Sequence, residues 1–378
     1  MRLLHVIPSI DPKSGGPAKA VVSYANLASR FASVELIATN EGFEQYVETE
    51  DIKSAIGLKS EVGLHVFPFK GRHSYKFSGQ LTAWLEKWLS SYDRAHLHAA
   101  FSLITTRAAR KCKEFNVPYV FRPLGTLSTF SMQYRSSFIK GLYYRYFEYK
   151  TVEGAMALQV TSMQEELDVQ RYIRENQPVY VIPIPMEQHH EQCRQKHTDP
   201  LRIGYLGRLD PKKNLESLLD AIYHYSKDHS LVLFIAGDGD KSYKNQLKKQ
   251  VSDLGLTDYV DWLGFIEERE KDEFFRDIDF FILPSFHENF GVSVIESLSY
   301  GRPVLVSPRV DAIHWVDAYQ CGIDCGVDET DILLALNKAH FLDENSYEYM
   351  SENALRLVDD EFSTDKIIGK LKNLYQWE

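Results

Sequence analysis

Cysteine is scarce, with Cys112, Cys193, Cys321 and Cys325 the only four in 378 residues. That scatter excludes a disulfide-stapled scaffold and fits a reducing compartment. Long apolar runs are missing too. No stretch approaches the roughly 18 apolar residues that a membrane-crossing helix needs. The opening residues, Met1-Arg2-Leu3-Leu4-His5-Val6-Ile7-Pro8, break too early for the apolar core of a secretory signal. They read instead as a first buried strand. The chain is therefore expected in the cytoplasm, free or resting on the inner face of a membrane. Nor is positive charge in excess. The 43 Lys+Arg stand against 53 Asp+Glu, and a net charge of −10 argues against nucleic acid as a general partner.

That total hides a split. Residues 1–198 hold 24 Lys+Arg and 19 Asp+Glu, and residues 199–378 hold 19 and 34, so the halves stand at +5 and −15. The composition is otherwise that of an ordinary globular chain, and the length predicts two or three domains.

Short apolar runs alternate with amphipathic stretches. In the first half the runs are 3–9, 34–39, 64–69, 95–99, 119–122, 157–161 and 179–184, with helical patterns such as 18–30 and 79–90 between them. Runs without alternation suit strands buried on both faces, and strand–helix alternation implies a parallel sheet. The polar, aperiodic segment 186–200 reads as a linker. The pattern then restarts with strands at 201–206, 231–236, 260–263, 280–283 and 303–306, and the chain is helical after about residue 327. The expected architecture is α/β: two doubly wound, Rossmann-like parallel-sheet domains facing across a cleft. Their bounds are 1–185 and 201–360, with a terminal helix in 361–378 that crosses back to the first domain.

Five constellations carry chemistry. Ser14-Gly15-Gly16-Pro17 lies between the first strand and a helix, where glycine lets the backbone approach an anion; a plain tight turn reads equally well. Gly207-Arg208-Leu209-Asp210-Pro211-Lys212-Lys213-Asn214 sets cations between a strand end and a helix start. Cations there oppose the helix dipole unless an anion binds. Glu288-Asn289-Phe290-Gly291-Val292 opens a helix that carries Glu296 eight positions on, about 12 Å of rise. Two carboxylates so spaced contact two parts of one extended ligand, and sugar hydroxyls are natural partners. The amides of Phe290, Gly291 and Val292 can face a phosphate.

Fourth, Ala95-His96-Leu97-His98 ends a strand and sends both imidazoles to one face. Zinc is one reading, but no Cys or acidic residue stands nearby, so a single cleft histidine without metal is favoured. Fifth, Ala236-Gly237-Asp238-Gly239-Asp240 imitates a dinucleotide fingerprint but has Ser242 where the third glycine belongs, which weakens NAD binding. His189, His190, Cys193 and His197 look metal-like, yet they lie in the polar linker.

In combination these features resemble the retaining glycosyltransferases of the GT-B fold, specifically glycosyltransferase family 4. The likeness runs over nearly the whole chain and is strongest from IGYLGRLDPKKN to DFFILPSFHENFGVSVIESLSYGRPVLVS. It implies transfer of a hexose from a nucleotide diphosphate sugar, UDP- or GDP-linked, to a glycan, lipid-linked or small-molecule acceptor. Cell-surface polysaccharide or glycolipid synthesis would be the setting. By the same resemblance Arg208 and Lys213 would bind the diphosphate, with Gly15, Gly16, Gly207 and Gly237 close by. Glu288 would hold hydroxyls of the transferred sugar beside Asn289, Phe290, Gly291 and Val292, Glu296 would hold the ribose, and Phe265 and Ile266 would border the base. His98 would sit near the reacting sugar. No metal or other cofactor is implied, and attack comes from the front face with assistance from the leaving phosphate. Asn214 replaces the glycine usual after the second cation, and Leu124 stands where related chains often carry His. The alternatives are a sugar-nucleotide epimerase on the same fold and a non-catalytic sugar-nucleotide binder.

Residues 132–150 mix Arg135, Lys140, Arg145 and Lys150 with seven aromatics and only Glu148 as acid. That mixture suits an anionic lipid interface or a lipid-linked acceptor; a core-facing helix with tyrosines at its rim is the equal alternative.

Overall fold

The structure, a computed structural model, describes residues 1–12, 16–43, 48–71, 76–128, 132, 141–189 and 199–377. The chain divides into two units. One comprises Met1–Pro185 with Thr364–Glu378, and the other Met186–Ser363.

The first unit holds a seven-stranded sheet in the order β3-β2-β1-β4-β5-β6-β7, paired in parallel throughout. Its strands are β1 (Arg2–Ser9), β2 (Ser33–Thr39), β3 (Gly63–Phe67), β4 (Arg94–His98), β5 (Tyr119–Arg122), β6 (Ala157–Val160) and β7 (Val179–Val181). β1 is buried from Leu3 to Ile7 and β5 along its whole length, as helices on both faces of a parallel sheet require. Leu4, Val6, Leu97, Phe121 and Leu158 share one core with Leu81, Leu85 and Ala108 from the flanking helices. β7 ends before the expected residue 184. After the Ile182 N–H bonds to the Val160 carbonyl, Pro183 and Pro185 have no N–H to continue the ladder.

The second unit repeats the plan with six parallel strands in the order β10-β9-β8-β11-β12-β13. They are β8 (Leu201–Leu206), β9 (Leu231–Ala236), β10 (Val260–Gly264), β11 (Phe280–Leu283), β12 (Val304–Val306) and β13 (Gly322–Asp324). β13 is an edge strand of three residues, too short and too little apolar to stand out in the sequence.

The described start of the expected linker belongs to the second unit. The Met186 N–H donates to the Phe362 carbonyl and the His189 N–H to the Ser299 carbonyl, both at 3.0 Å. The metal-like residues His190, Cys193 and His197 lie outside the described residues. The last helix, Thr364–Leu374, packs in the first unit, and Tyr375 just beyond it meets His96 (2.7 Å) and Phe31 (ring centroids 6.5 Å apart).

Each sheet reverses its strand order once, between β1 and β4 in the first unit and between β8 and β11 in the second. Ligands of open parallel sheets bind outside the carboxyl ends of the strands at such points.

Candidate functional site

In the second unit the loops after β8 and β11 flank the reversal point, and they hold most of the residues singled out above. Pro211–Lys213 forms one turn of 3-10 helix, capped by the Asp210 side chain on the Lys212 N–H. Asn214 follows with φ +59°, a left-handed conformation that glycine adopts freely and asparagine tolerates. Its side chain donates to the carbonyls of Pro284 (3.1 Å) and Val327 (2.6 Å), tying this loop to the end of β11. The glycine-to-asparagine departure therefore keeps the required backbone and adds two hydrogen bonds.

Lys213 reaches across the reversal point and forms an ion pair with Glu288, while Lys212 Nζ lies 3.6 Å from the same carboxylate. The Glu288 backbone is fixed on both sides. Its N–H donates to the Arg309 carbonyl (3.1 Å), and its carbonyl accepts from the Asp311 N–H (3.2 Å). Burial pushes the Glu288 carboxyl up, but Lys213 and Lys212 outweigh it and hold the group below its ordinary value. For Lys213 burial wins and its pKa is lowered, though Glu288 opposes the shift. Arg208 is exposed, and among the described residues its guanidinium pairs with Asp210 at 3.2 Å, which leaves most of it open to an anion.

Phe290 is buried against Trp315 and Phe362, so only its backbone faces the loop. Gly291 sits at φ +80°, where a Cβ would lie 2.8 Å from Val310 Cγ1; it opens the helix Val292–Ser299. Asn289 and Val292 are half-buried beside it. On that helix Glu296 pairs with Lys271 at 2.6 Å. Glu288 and Glu296 thus have different cationic partners.

The glycines at the strand ends are stitched together. The Gly207 N–H donates to the Ala236 carbonyl (3.0 Å) and the Gly237 N–H to the Gly264 carbonyl (2.6 Å). A Cβ on Gly237 would fall 1.9 Å from the Gly207 oxygen, so the two loops touch through backbone alone. Next to Gly264, Ile266 is buried and Phe265 is 76% exposed, an aromatic face without a core to fill.

In the first unit Gly16 begins the helix Gly16–Ala28, and Gly15 lies outside the described residues. His98 differs from expectation. Neither it nor His96 is an open cleft residue, because both are fully buried and His5 of β1 joins them. His5 Nδ1 is 3.0 Å from His98 Nε2, the Tyr375 hydroxyl meets His96 Nδ1 at 2.7 Å, and Arg122, which lies over the Tyr24 ring, adds its charge to the cluster. Burial lowers all three imidazoles, that of His5 to about 3, helped at His98 by the other two rings and Arg122. The ligand nitrogens all lie within 4.8 Å of one another. His96 stacks on His98 with centroids 4.1 Å apart, while His5 and His98 meet edge to edge, their planes 10° apart and their centroids at 5.2 Å. The His5–His98 nitrogens already hydrogen-bond to each other, His96 Nδ1 is taken by Tyr375, and Arg122 adds like charge. Sequence alone did not join His5 to His98, 93 positions away. Nor did it join Lys271 to Glu296, since no local spacing links either pair.

In 132–150, residues 133–140 lie outside the described residues. Beyond them Leu142, Tyr146, Phe147 and Tyr149 are exposed, Tyr143 and Tyr144 are half-buried, and Glu148 turns inward and is fully buried. Among the described residues no helix is long and apolar enough to cross a membrane.

Two family models match the chain. A glycosyl transferase 4-like domain covers residues 15–185 and a glycosyl transferases group 1 domain residues 187–356. The chain is 32% identical over 174 residues to the alpha-monoglucosyldiacylglycerol synthase of Streptococcus pneumoniae, covering 43% of this chain and 38% of that one. It is 28% identical over 178 residues to an uncharacterized glycosyltransferase of Methanocaldococcus jannaschii, covering 47% and 45%. These alignments span less than half of either relative. Among solved structures, Anabaena HepE in complex with UDP superposes with a TM-score of 0.77 at 16% identity, covering 100% of both chains.

Proposed function

The chain belongs to the group 1 glycosyl transferases of the GT-B fold, and on that footing we propose that it moves a hexose from a nucleotide diphosphate sugar to a glycan or lipid-linked acceptor. The observation that carries the reading is the Lys213–Glu288 pair at the strand-order reversal of the second sheet, with Lys212 and the open Arg208 beside it. Arg208, Lys213 and the amide end of the helix Val292–Ser299 would receive the diphosphate. Negative charge builds on that group as the sugar departs, and fixed cations and dipoles stabilise it without reorganising. That supply of positive charge supports a transfer that needs no metal ion. Glu288, kept ionised by its lysines, would accept hydrogen bonds from the sugar hydroxyls. Glu296 would take the ribose and Phe265 the base.

The family likeness supports retention by front-face attack, in which the leaving phosphate receives the acceptor proton. A UDP-type donor is supported by the complex of HepE with UDP and glucose, and a lipid acceptor by the name of the pneumococcal synthase. The exposed aromatics of 142–149 support contact with an anionic membrane surface.

Thermal-shift measurement against UDP-, GDP- and ADP-sugars tests the reading, because a ligand that binds only the folded state raises its melting point. A shift with one base and its loss in Lys213→Met are expected. No shift with any of them, at concentrations up to millimolar, would overturn the donor assignment.

A further inference from the structure

Glu148 has no part in the donor site, yet it is the most unusual acid in the first unit. It ends a short π-helical segment, Tyr144–Glu148. One extra residue per turn rotates a side chain out of its α-helical register, and π-turns cluster at functional sites. Here the neighbours Tyr146, Phe147 and Tyr149 face solvent while Glu148 points inward. Its Oε2 accepts the Phe101 N–H at 3.0 Å, and its buried Oε1 has no hydrogen-bond partner among the described residues.

The turn it touches is strained. Ala99 has φ +79° and Phe101 φ +58°, both in the left-handed region without being glycine. Such residues persist only where the surroundings over-determine them. Three bonds secure the strand side of the turn. The Ala99 N–H donates to the Arg122 carbonyl (3.0 Å), the Ala100 N–H to the Pro123 carbonyl (3.4 Å), and Thr105 Oγ1 to the His98 carbonyl (2.8 Å). Glu148 secures the far side. The turn leaves β4 next to β1, at the reversal point of the first sheet, where a ligand of this unit would bind.

We propose that Glu148 is a positioning residue: by holding the Phe101 N–H it fixes the turn 99–102 and so shapes the acceptor-binding end of the first sheet. The word acceptor rests on the function proposed above; the coupling of Glu148 to the turn does not. The groups facing the carboxyl are the Thr106 hydroxyl from the helix Leu103–Glu114, Tyr143 next to Thr106, Tyr119 of β5 with Cys112 near it, and Tyr144 of its own turn. None is a cation. Burial pushes the Glu148 carboxyl up to about 8, against the Phe101 and Thr106 hydrogen bonds, so at neutral pH the group is mainly the neutral acid. The unpartnered Oε1 is the atom that can carry the proton. Ionisation would put an uncompensated charge beside the turn; an opened turn returns the carboxyl to its ordinary value of 4.5, so the closed turn should weaken as the pH rises from there and level off near 8.

Hydrogen exchange of the peptide spanning 99–106 in the full chain tests this across pH 6 to 9.5, corrected for the intrinsic chemical rate. Wild type should lose protection progressively from pH 6 and level off above about 8. Glu148→Gln, which keeps an oxygen acceptor and cannot ionise, should stay protected throughout. Glu148→Ala should exchange about tenfold faster at every pH. A pH course in Glu148→Gln identical to wild type, or unchanged exchange in Glu148→Ala, would overturn the inference. If the alanine variant does not fold, the comparison of wild type with Glu148→Gln decides alone. UDP and GDP binding by the wild-type chain is measured beside it. Failure there would sink the donor reading and leave the exchange result standing, so the two failures are distinguishable.

Discussion

Lys213 and Glu288 stand 75 positions apart in the chain and meet as a half-buried ion pair where the second sheet reverses its strand order. Lys213 comes from the loop after β8, and Glu288 from the loop after β11. The pair therefore bridges the two elements that bound the ligand crevice of the unit. Removing one partner leaves the other charge largely desolvated, so the two substitutions should not be equivalent.

Glu288→Ala should cost about 10²–10³ in kcat, the scale of losing one charge-aligned group at a transition state. Lys212 and Lys213 then face the diphosphate without a competing carboxylate, so nucleotide affinity should hold or rise. Lys213→Met should weaken nucleotide binding itself. Transfer assays together with calorimetric titration of UDP and GDP separate these outcomes. Wild-type turnover in Glu288→Ala would refute the role.

Phe265 follows β10 with most of its surface in water and packs no core. If a nucleobase stacks there, Phe265→Ala removes about 1–3 kcal/mol of stacking, or about 5- to 150-fold in nucleotide affinity. Its removal should leave the melting temperature of the free protein unchanged. Phe265→Tyr should bind like wild type. Equal affinity of the alanine variant and wild type would place the base elsewhere.

These residues were unequally legible in the sequence. The strand–helix alternation announced both sheets, because strands buried on two faces must be continuous apolar runs. The Arg208, Lys213, Glu288 and Glu296 positions stood out by their places at strand ends and helix starts. β13 was silent, since three half-exposed residues of an edge strand carry no pattern. The partners were silent too. Nothing local joins Lys271 to Glu296, or His5 to His98, because the packing of two helices brings the first pair together and the pairing of β1 with β4 the second. The burial of His98 was silent for a related reason. Alternation tells which face a side chain takes, but the terminal helix that brings Tyr375 over that face lies at the far end of the chain. Glu148 was counted with an exposed basic stretch, and only the π-turn reveals that it points inward.

The three buried imidazoles set an acid limit. Each is held neutral in the fold, with a pKa below the ordinary 6.5, while the unfolded chain takes up protons from about that pH downward. The unfolded state thus binds more protons as the pH falls below 6.5, and stability, full above that value, must drop. Three groups give a slope of up to about 4 kcal/mol per pH unit. The first unit should therefore lose stability between pH 6.5 and 5, before most carboxylates titrate. Hydrogen exchange of β1 and β4 peptides against pH measures it. His5→Asn should make the dependence shallower, and a flat profile from pH 7 to 5 would contradict neutral burial.

Membrane contact can be tested on the described part of the basic, aromatic stretch. Leu142, Tyr146, Phe147 and Tyr149 expose apolar surface, Tyr146 as much as 63%, and Arg145 and Lys150 stand among them. Aromatic rings that seat at the headgroup level, flanked by cations, bind anionic bilayers through both terms at once. Flotation with vesicles rich in phosphatidylglycerol should carry the protein at low salt and release part of it at high salt. The double variant Tyr146→Ser/Phe147→Ser should float less at every salt concentration, because it removes the salt-independent apolar term. Arg145→Gln should lose mainly the low-salt increment, about 1 kcal/mol for one cation near the surface. Equal flotation of wild type and the double serine variant would assign these aromatics to the acceptor or to a protein partner rather than to lipid.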